Sequence, residues 1–236
     1  MTSGADVGPL FRVGITGHRD LATRYAAKQG AIRDALAAAL AQIRNIARAA
    51  APASGDKRTQ PSLRLISPLA EGADRLAAEI ASELGYRLLV ALPFEQATYE
   101  EDFDAASQAE FRQIMARAGV EDGVVVLGGR RAAADASYLA VGRFVVENVD
   151  LLIAVWDRER PALPGGTGDV VDVALEHGVP IVWIPPDAPE PAWLLDALPN
   201  AKAPRRFVDA TDTLEDYAIR CFTAANREIV LRGGRR

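Results

Sequence analysis

Short apolar runs alternate with longer stretches in which apolar residues recur every three or four positions, and this alternation constrains the fold more than any other feature of the chain. The runs lie at 11–16, 63–67, 86–92, 123–127, 149–156 and 180–184. Between them, helical spacing predicts helices over 21–50, 70–84, 98–118, 135–148 and 167–177, with a closing helix over 213–231. Ile32, Leu36, Leu40, Ile43 and Ala47 mark the apolar stripe of the first, and Leu76, Ile80 and Leu84 that of the second. The run at 149–156 is unbroken by polar residues until its end, which suits a central strand covered on both faces. The economical solution is an α/β fold: a Rossmann-like, open, mostly parallel sheet with helices on both faces. We expect one such domain over 11–232, a flexible N-terminus over 1–10, a mobile Pro/Ser/Gly-rich loop over 51–62 and irregular, proline-rich chain over 185–204.

Composition narrows the function classes. A chain of 236 residues that is 49% hydrophobic can build a substantial core. The formal net charge of −5 argues against a broadly basic face, so DNA is expected to be an unlikely partner, as is an anionic membrane surface. Cys221 is the only cysteine, and His18 and His177 are the only histidines, so no metal site and no disulfide framework is expected. The first residues carry neither a basic segment nor an apolar one, and no apolar run approaches the roughly 20 residues of a membrane span. A cytoplasmic setting, with no membrane partner, is the expectation.

Two glycine-containing turns sit where the alternation places a ligand. The first, Gly14-Ile15-Thr16-Gly17-His18-Arg19, leaves the first strand; the second, Gly165-Gly166-Thr167, follows the central strand and opens a helix. Helix starts carry bare N–H groups and partial positive charge, which suit phosphate. In open α/β sheets the ligand lies outside the strand C-terminal ends, where the strand order reverses. Gly17 is a place for close backbone approach, His18 a contact, and Arg19 a planar fork for an anion. A tight turn with a paired surface arginine is the plain alternative. Gly165, Gly166 and Thr167 form the phosphate cradle, unless Thr167 is simply an N-cap. Ser67 and Glu71, after the second strand, and Asp157, after the central one, are candidates for sugar or base. Asp74 is a further candidate acid near a helix start, where satisfying local N–H groups or complementing the helix dipole is the plain alternative. His177, just before Gly178, is expected to be structural.

At these residues the chain resembles the SLOG superfamily, the Rossmann-like group named for the Smf/DprA and LOG proteins. The matching pieces are GITGHRD (14–20), SPLAEGAD (67–74), the LPF...Y..DF stretch (92–103), VDLLIAVWD (149–157) and GGTGDVV (165–171). The resemblance implies binding or sensing of a nucleotide or nucleotide-derived small molecule at the C-terminal edge of the sheet, in bacterial defence or signalling, with no cofactor. The alternative it implies is a LOG-like phosphoribohydrolase that cleaves the N-glycosidic bond of a nucleoside 5′-monophosphate, with Glu71 and Asp172 as catalytic candidates. The family signature PGGxGTxxE is met at 164–168, but Asp169 stands where Thr is expected and Asp172 where Glu is expected. Asp172 is one methylene short, about 1.5 Å less reach. The DprA branch binds single-stranded DNA, a role the acidic balance opposes. The last helix carries one apolar stripe (Leu214, Tyr217, Ala218, Cys221, Phe222, Ala225, Ile229), and a homo-oligomer is a candidate assembly, since exposed apolar positions on that helix would suit a dimer.

Overall fold

The structure, a computed structural model, describes residues 8–53, 60–118, 123–159, 165–195 and 204–233, with side chains to residue 224. The N-terminal residues 1–7, residues 54–59 of the loop expected at 51–62, and Pro164 lie outside the described residues. The described strands are β1 (Leu10–Gly17), β2 (Ser62–Ser67), β3 (Arg87–Leu92), β4 (Val124–Val126), β5 (Leu151–Val155), β6 (Ile181–Ile184), β7 (Trp193–Leu195) and β8 (Arg205–Arg206). The helices are α1 (Leu21–Arg24), α2 (Gln29–Ala53), α3 (Ala73–Glu83), α4 (Gln96–Glu100), α5 (Ala105–Ala118), α6 (Ala134–Glu147), α7 (Thr167–Glu176) and α8 (Thr211–Gly233).

The strands form one sheet in the order β4-β3-β2-β1-β5-β6-β7-β8. The pairs from β4 through β6 are parallel, and β7 and β8 add an antiparallel edge. The expected mostly parallel α/β sheet is therefore present. Helices α2, α3, α5 and α8 cover one face, burying Val13, Ile15, Leu65, Ile153 and Val182. On the other face α6 and α7 bury Ile66, Leu152, Ala154 and Ile181. Residues 151–155 alternate between these two cores, which is why β5 carries no polar side chain. Its register against β1 is pinned just before the strand. Asp150 accepts from the Arg12 N–H (2.8 Å) and from Nε and Nη2 of the same guanidinium (3.0 and 2.8 Å).

Three expected elements differ. The helix expected over 21–50 is broken at Tyr25, with one 3-10 turn before α2, and α2 runs on to Ala53. The helix expected over 98–118 is two helices, because Asp104 Oδ1 accepts the Ser107 N–H (2.8 Å) and starts α5 afresh. The stretch expected to be irregular contains β7, whose three residues pair with β6. The described part of the last helix's apolar stripe is used inside the chain: Leu214, Ala218 and Phe222 are buried, α8 packs on α2, and Phe222 meets the Phe11 ring edge-on at 5.9 Å, while the Ala225 and Ile229 side chains lie outside the described residues. Among the described residues no helix is long and apolar enough to cross a membrane.

Candidate functional site

After β1 the chain moves outward through β2, β3 and β4, then returns to place β5 on the other side of β1. The strand order reverses between β1 and β5, and the turns after both strands open there. Gly17 is in register with Val155, and the His18 N–H donates to the Val155 carbonyl (3.3 Å). Above this point lies a crevice of about 240 Å³. Its floor is Thr16 and Gly17, one wall is α6 with the start of α7, and the other is the approach to α3. His18, Arg19 and Glu159 stand at its rim.

The first turn is bound tightly to α3. The Ala73 N–H donates to the His18 carbonyl (3.1 Å). Gly72 has φ +76°, and a Cβ there would sit 2.3 Å from the His18 oxygen, so only glycine allows the two backbones to meet. Gly17 answers to the same packing: its Cβ would fall 2.5 Å from the Ala73 Cβ and 3.0 Å from Val155. Gly17 lines the crevice, but helix packing already requires it to be small.

His18 Nε2 lies 3.1 Å from Asp157 Oδ1 and 3.3 Å from the Asp157 N–H. Asp157 Oδ2 accepts from the Tyr25 hydroxyl (2.8 Å) and pairs with Arg24 (2.9 Å), and Oδ1 accepts the Glu159 N–H (2.8 Å). Its side chain is only 4% exposed. Burial pushes the Asp157 carboxyl up, but the Glu159 and Tyr25 hydrogen bonds and the charges of His18 and Arg24 outweigh it and hold the group below its ordinary value. Asp157, expected to contact sugar or base, is spent on locking the two turns together and does not line the crevice.

Arg19 does line it. Its guanidinium is 43% exposed and lies 3.9 Å from Asp102 Oδ2, so the pair is loose. Asp102 is held more firmly by Arg131 and by the Tyr138 hydroxyl, which donates to it at 2.5 Å. On the facing wall, α7 is capped by Gly166. The expected N-cap role of Thr167 is not what the helix uses: Thr167 is its first residue. The Gly166 carbonyl accepts from Asp169 and Val170 N–H (3.1 and 3.3 Å), so the cap residue brings no side chain to the helix end. Gly165 adopts φ +92°, and its N–H donates to Asp169 Oδ2 (2.7 Å). That carboxylate partly offsets the positive helix end, while among the described residues the Thr167 and Gly168 N–H groups have no acceptor within the helix.

Two expected residues lie elsewhere. Ser67 is fully buried, and its Oγ accepts the Leu69 N–H (3.0 Å). Glu71 accepts from the Ser107 hydroxyl (2.5 Å) and faces a separate, more open hollow of about 1010 Å³ beside α3 and α5, which it shares with Arg75 and Glu110. Asp172 sits farther along α7 and does not line the crevice either. His177 is structural as expected, its Nδ1 2.8 Å from the Val173 carbonyl.

One group that the sequence left between a functional and a plain role does reach the crevice. Asp74 is 3% exposed, lines the wall opposite α7, and among the described residues accepts only the Ala70 N–H, at 3.3 Å. Burial pushes its carboxyl up to about 7, against the Ala70 hydrogen bond and the charges of Arg19 and Arg75. Tyr99, from α4, completes the lining on that side, and Tyr138 belongs to the α6 wall. The sequence signal for Asp74 was slight: an acid in the first turn of a helix.

Comparison with solved structures gives likenesses of fold. DprA from Streptococcus pneumoniae aligns with a TM-score of 0.44 and 16% identity over 75% of this chain and 50% of that one. DprA from Helicobacter pylori, described for its single-stranded DNA binding mode, gives 0.47 and 15% over 94% of this chain and 85% of that one. The TM1055 structure gives 0.41 and 14% over 72% of each chain. What these proteins share with this chain is a likeness of fold, and the fold itself is the open, mostly parallel sheet described above. This chain spans half the length of the Streptococcus protein. No family model matches the chain, and no curated protein matches its sequence. The expectation that DNA is an unlikely partner is corrected by these findings, since two of the proteins are DprA and one is described as a single-stranded DNA binder. The physical flaw in that expectation is that net charge is a sum over the whole chain. Locally, Arg19, Arg130, Arg131 and Arg158 all follow the C-terminal ends of strands β1, β4 and β5.

Proposed function

We propose that the protein binds a nucleotide, or a small molecule derived from one, in the crevice between the ends of β1 and β5. The observation that carries this reading is the pairing of an open helix start at Gly166–Thr167 with Arg19 on the same crevice. Together they offer N–H donors, a helix dipole and a forked cation to one phosphate. Two acids, Asp74 and Glu159, share the lining, so the site suits one anionic group rather than a polyphosphate. Its volume, below the roughly 300–1000 Å³ of ordinary ligand pockets, suits the phosphate and sugar end of one nucleotide, with the base towards the open mouth. Glu71 and Asp172, the carboxylates of the hydrolase alternative, do not line the crevice, which favours binding and sensing over bond cleavage.

Isothermal titration of the four ribonucleoside 5′-monophosphates, with a single-stranded oligonucleotide alongside, tests the reading. At least one monophosphate is expected to bind, and Arg19→Ala is expected to weaken it about tenfold or more, as befits a lost charged hydrogen bond. Absence of binding by all four, or equal affinity in Arg19→Ala, overturns it. Binding of the oligonucleotide alone assigns the edge to a DNA strand instead. Release of free base would restore the hydrolase alternative.

A further inference from the structure

Asp74 is costly where it stands. An acid at the second position of a helix complements the dipole equally well when exposed, yet this one is buried. Only its Oδ2 is engaged, by one long hydrogen bond, and Oδ1 has no hydrogen-bond partner among the described residues. The surroundings hold it there. Leu69 is buried with φ +56°, a conformation unusual for a branched side chain. The Ser67 hydroxyl takes the Leu69 N–H, and Arg75 Nε donates to the Leu69 carbonyl (3.1 Å). This turn aims the Ala70 N–H at Asp74 and fixes the carboxyl at the crevice wall.

The charged and titratable groups around Asp74 are Arg19 from the turn after β1, Arg75 from its own helix and Tyr99 from α4. None forms a hydrogen bond with it. Arg75 is committed to Leu69, Ser107 and Glu110, and the nearest partner of Arg19 is Asp102. The carboxyl is thus a hydrogen-bond acceptor whose remaining capacity faces the crevice.

We propose that Asp74 is the specificity-determining residue of the crevice: it accepts hydrogen bonds from the hydroxyls of a phosphorylated ribose, so that ribonucleotides are taken in preference to 2′-deoxyribonucleotides. The inference rests on the nucleotide reading above. Size selects the sugar. The phosphate seat and Asp74 line the same small crevice, and in a nucleotide the groups next to the phosphate are those of the sugar, with the base one unit farther on. Ser67 acts through Asp74, as a positioning residue, and touches no ligand.

The test is titration of the native protein and of Asp74→Asn with adenosine 5′-monophosphate, its 2′-deoxy analogue, ribose 5-phosphate and inorganic phosphate. The native protein is expected to favour the ribo form about tenfold, as for a hydrogen bond to a charged acceptor. Asp74→Asn is expected to lose most of that preference while its affinity for inorganic phosphate stays within about twofold. Ligand hydroxyls favour the carboxylate over the acid, so ribonucleotide binding at pH 7 also releases part of a proton. Titration in two buffers of different ionisation enthalpy reads that release, which in Asp74→Asn falls to the share that the phosphate itself gives up. Equal ribo and deoxy affinities in the native protein overturn the inference and leave the nucleotide reading standing. So does a preference that survives in Asp74→Asn. If no phosphorylated compound binds, the nucleotide reading fails and takes this inference with it.

Discussion

Replacing Asp74 by asparagine is expected to stabilise the ligand-free protein at pH 8. The carboxyl rises from 3.8 to about 7 on folding, chiefly because burial disfavours its charge. At about 1.4 kcal/mol for each pH unit, keeping that charge above pH 7 costs on the order of 4 kcal/mol. The folded state holds the proton more tightly than the unfolded state, so between pH 4 and 7 it binds more protons and stability falls as pH rises. Below about pH 4 both states are protonated and the penalty is absent. Asparagine has nearly the same shape, keeps an oxygen for the Ala70 N–H and carries no charge. Urea unfolding at a series of pH values is the assay. Asp74→Asn is expected to exceed the native protein by a few kcal/mol at pH 8, about 2–4 °C in Tm for each kcal/mol, with the gap closing towards pH 4. An Asp74→Asn protein no more stable than the native one at pH 8 would refute the reasoning, because the carboxyl would then be well solvated or well paired.

Other positions carry further expectations. Gly17→Ala forces its new methyl against Ala73 and Val155, and overpacking of this kind costs about 1–3 kcal/mol; the loss is read in thermal unfolding, and Ala73→Gly in the same chain is expected to recover part of it. Ser67→Ala leaves the buried Leu69 N–H without its acceptor, so it is expected to lose about 1–3 kcal/mol of stability in urea unfolding. Asp157→Asn weakens a site that joins Tyr25, Arg24 and Glu159. Its carboxyl is held below its ordinary value, so its contribution is present above the unfolded value near pH 4 and lost as pH falls through the folded one. Native and variant unfolding curves are therefore expected to differ at pH 7 and to converge under strong acid.

Much of the sheet is legible in the sequence because five of the six parallel strands are largely buried and all but β5 are bounded by glycine or proline, so their apolar runs stand out; β4, with Val124 and Val126 exposed, is marked by Gly123 and Gly128 instead. Strand β7 is not legible: three residues amid prolines carry no period, and only pairing to β6 makes them a strand. The break at Tyr25 is hidden for a related reason. Its flanking alanines favour helix, whereas the Tyr25 ring is called away to Asp157 and His18. At the site, strand ends and helix starts could be found from pattern alone, which is how Gly17, His18, Arg19 and Gly165–Thr167 come to stand around one crevice. Which way side chains turn could not. Ser67, Glu71 and Asp157 are polar residues near strand ends, and each is taken by a partner that lies far away in sequence or within its own turn. Asp74 is the converse: a residue of ordinary local pattern that becomes unusual when the turn at 68–70 and Tyr99 close over it.

The most direct test of the central claim is a crystal structure of the protein grown with the ribonucleoside 5′-monophosphate that binds best in the titrations. The account predicts the phosphate on the first-turn N–H groups of α7, within hydrogen-bond reach of Arg19, with the ribose hydroxyls towards Asp74. A nucleotide bound away from the end of β1, or in the hollow beside Glu71 and Arg75, would contradict it.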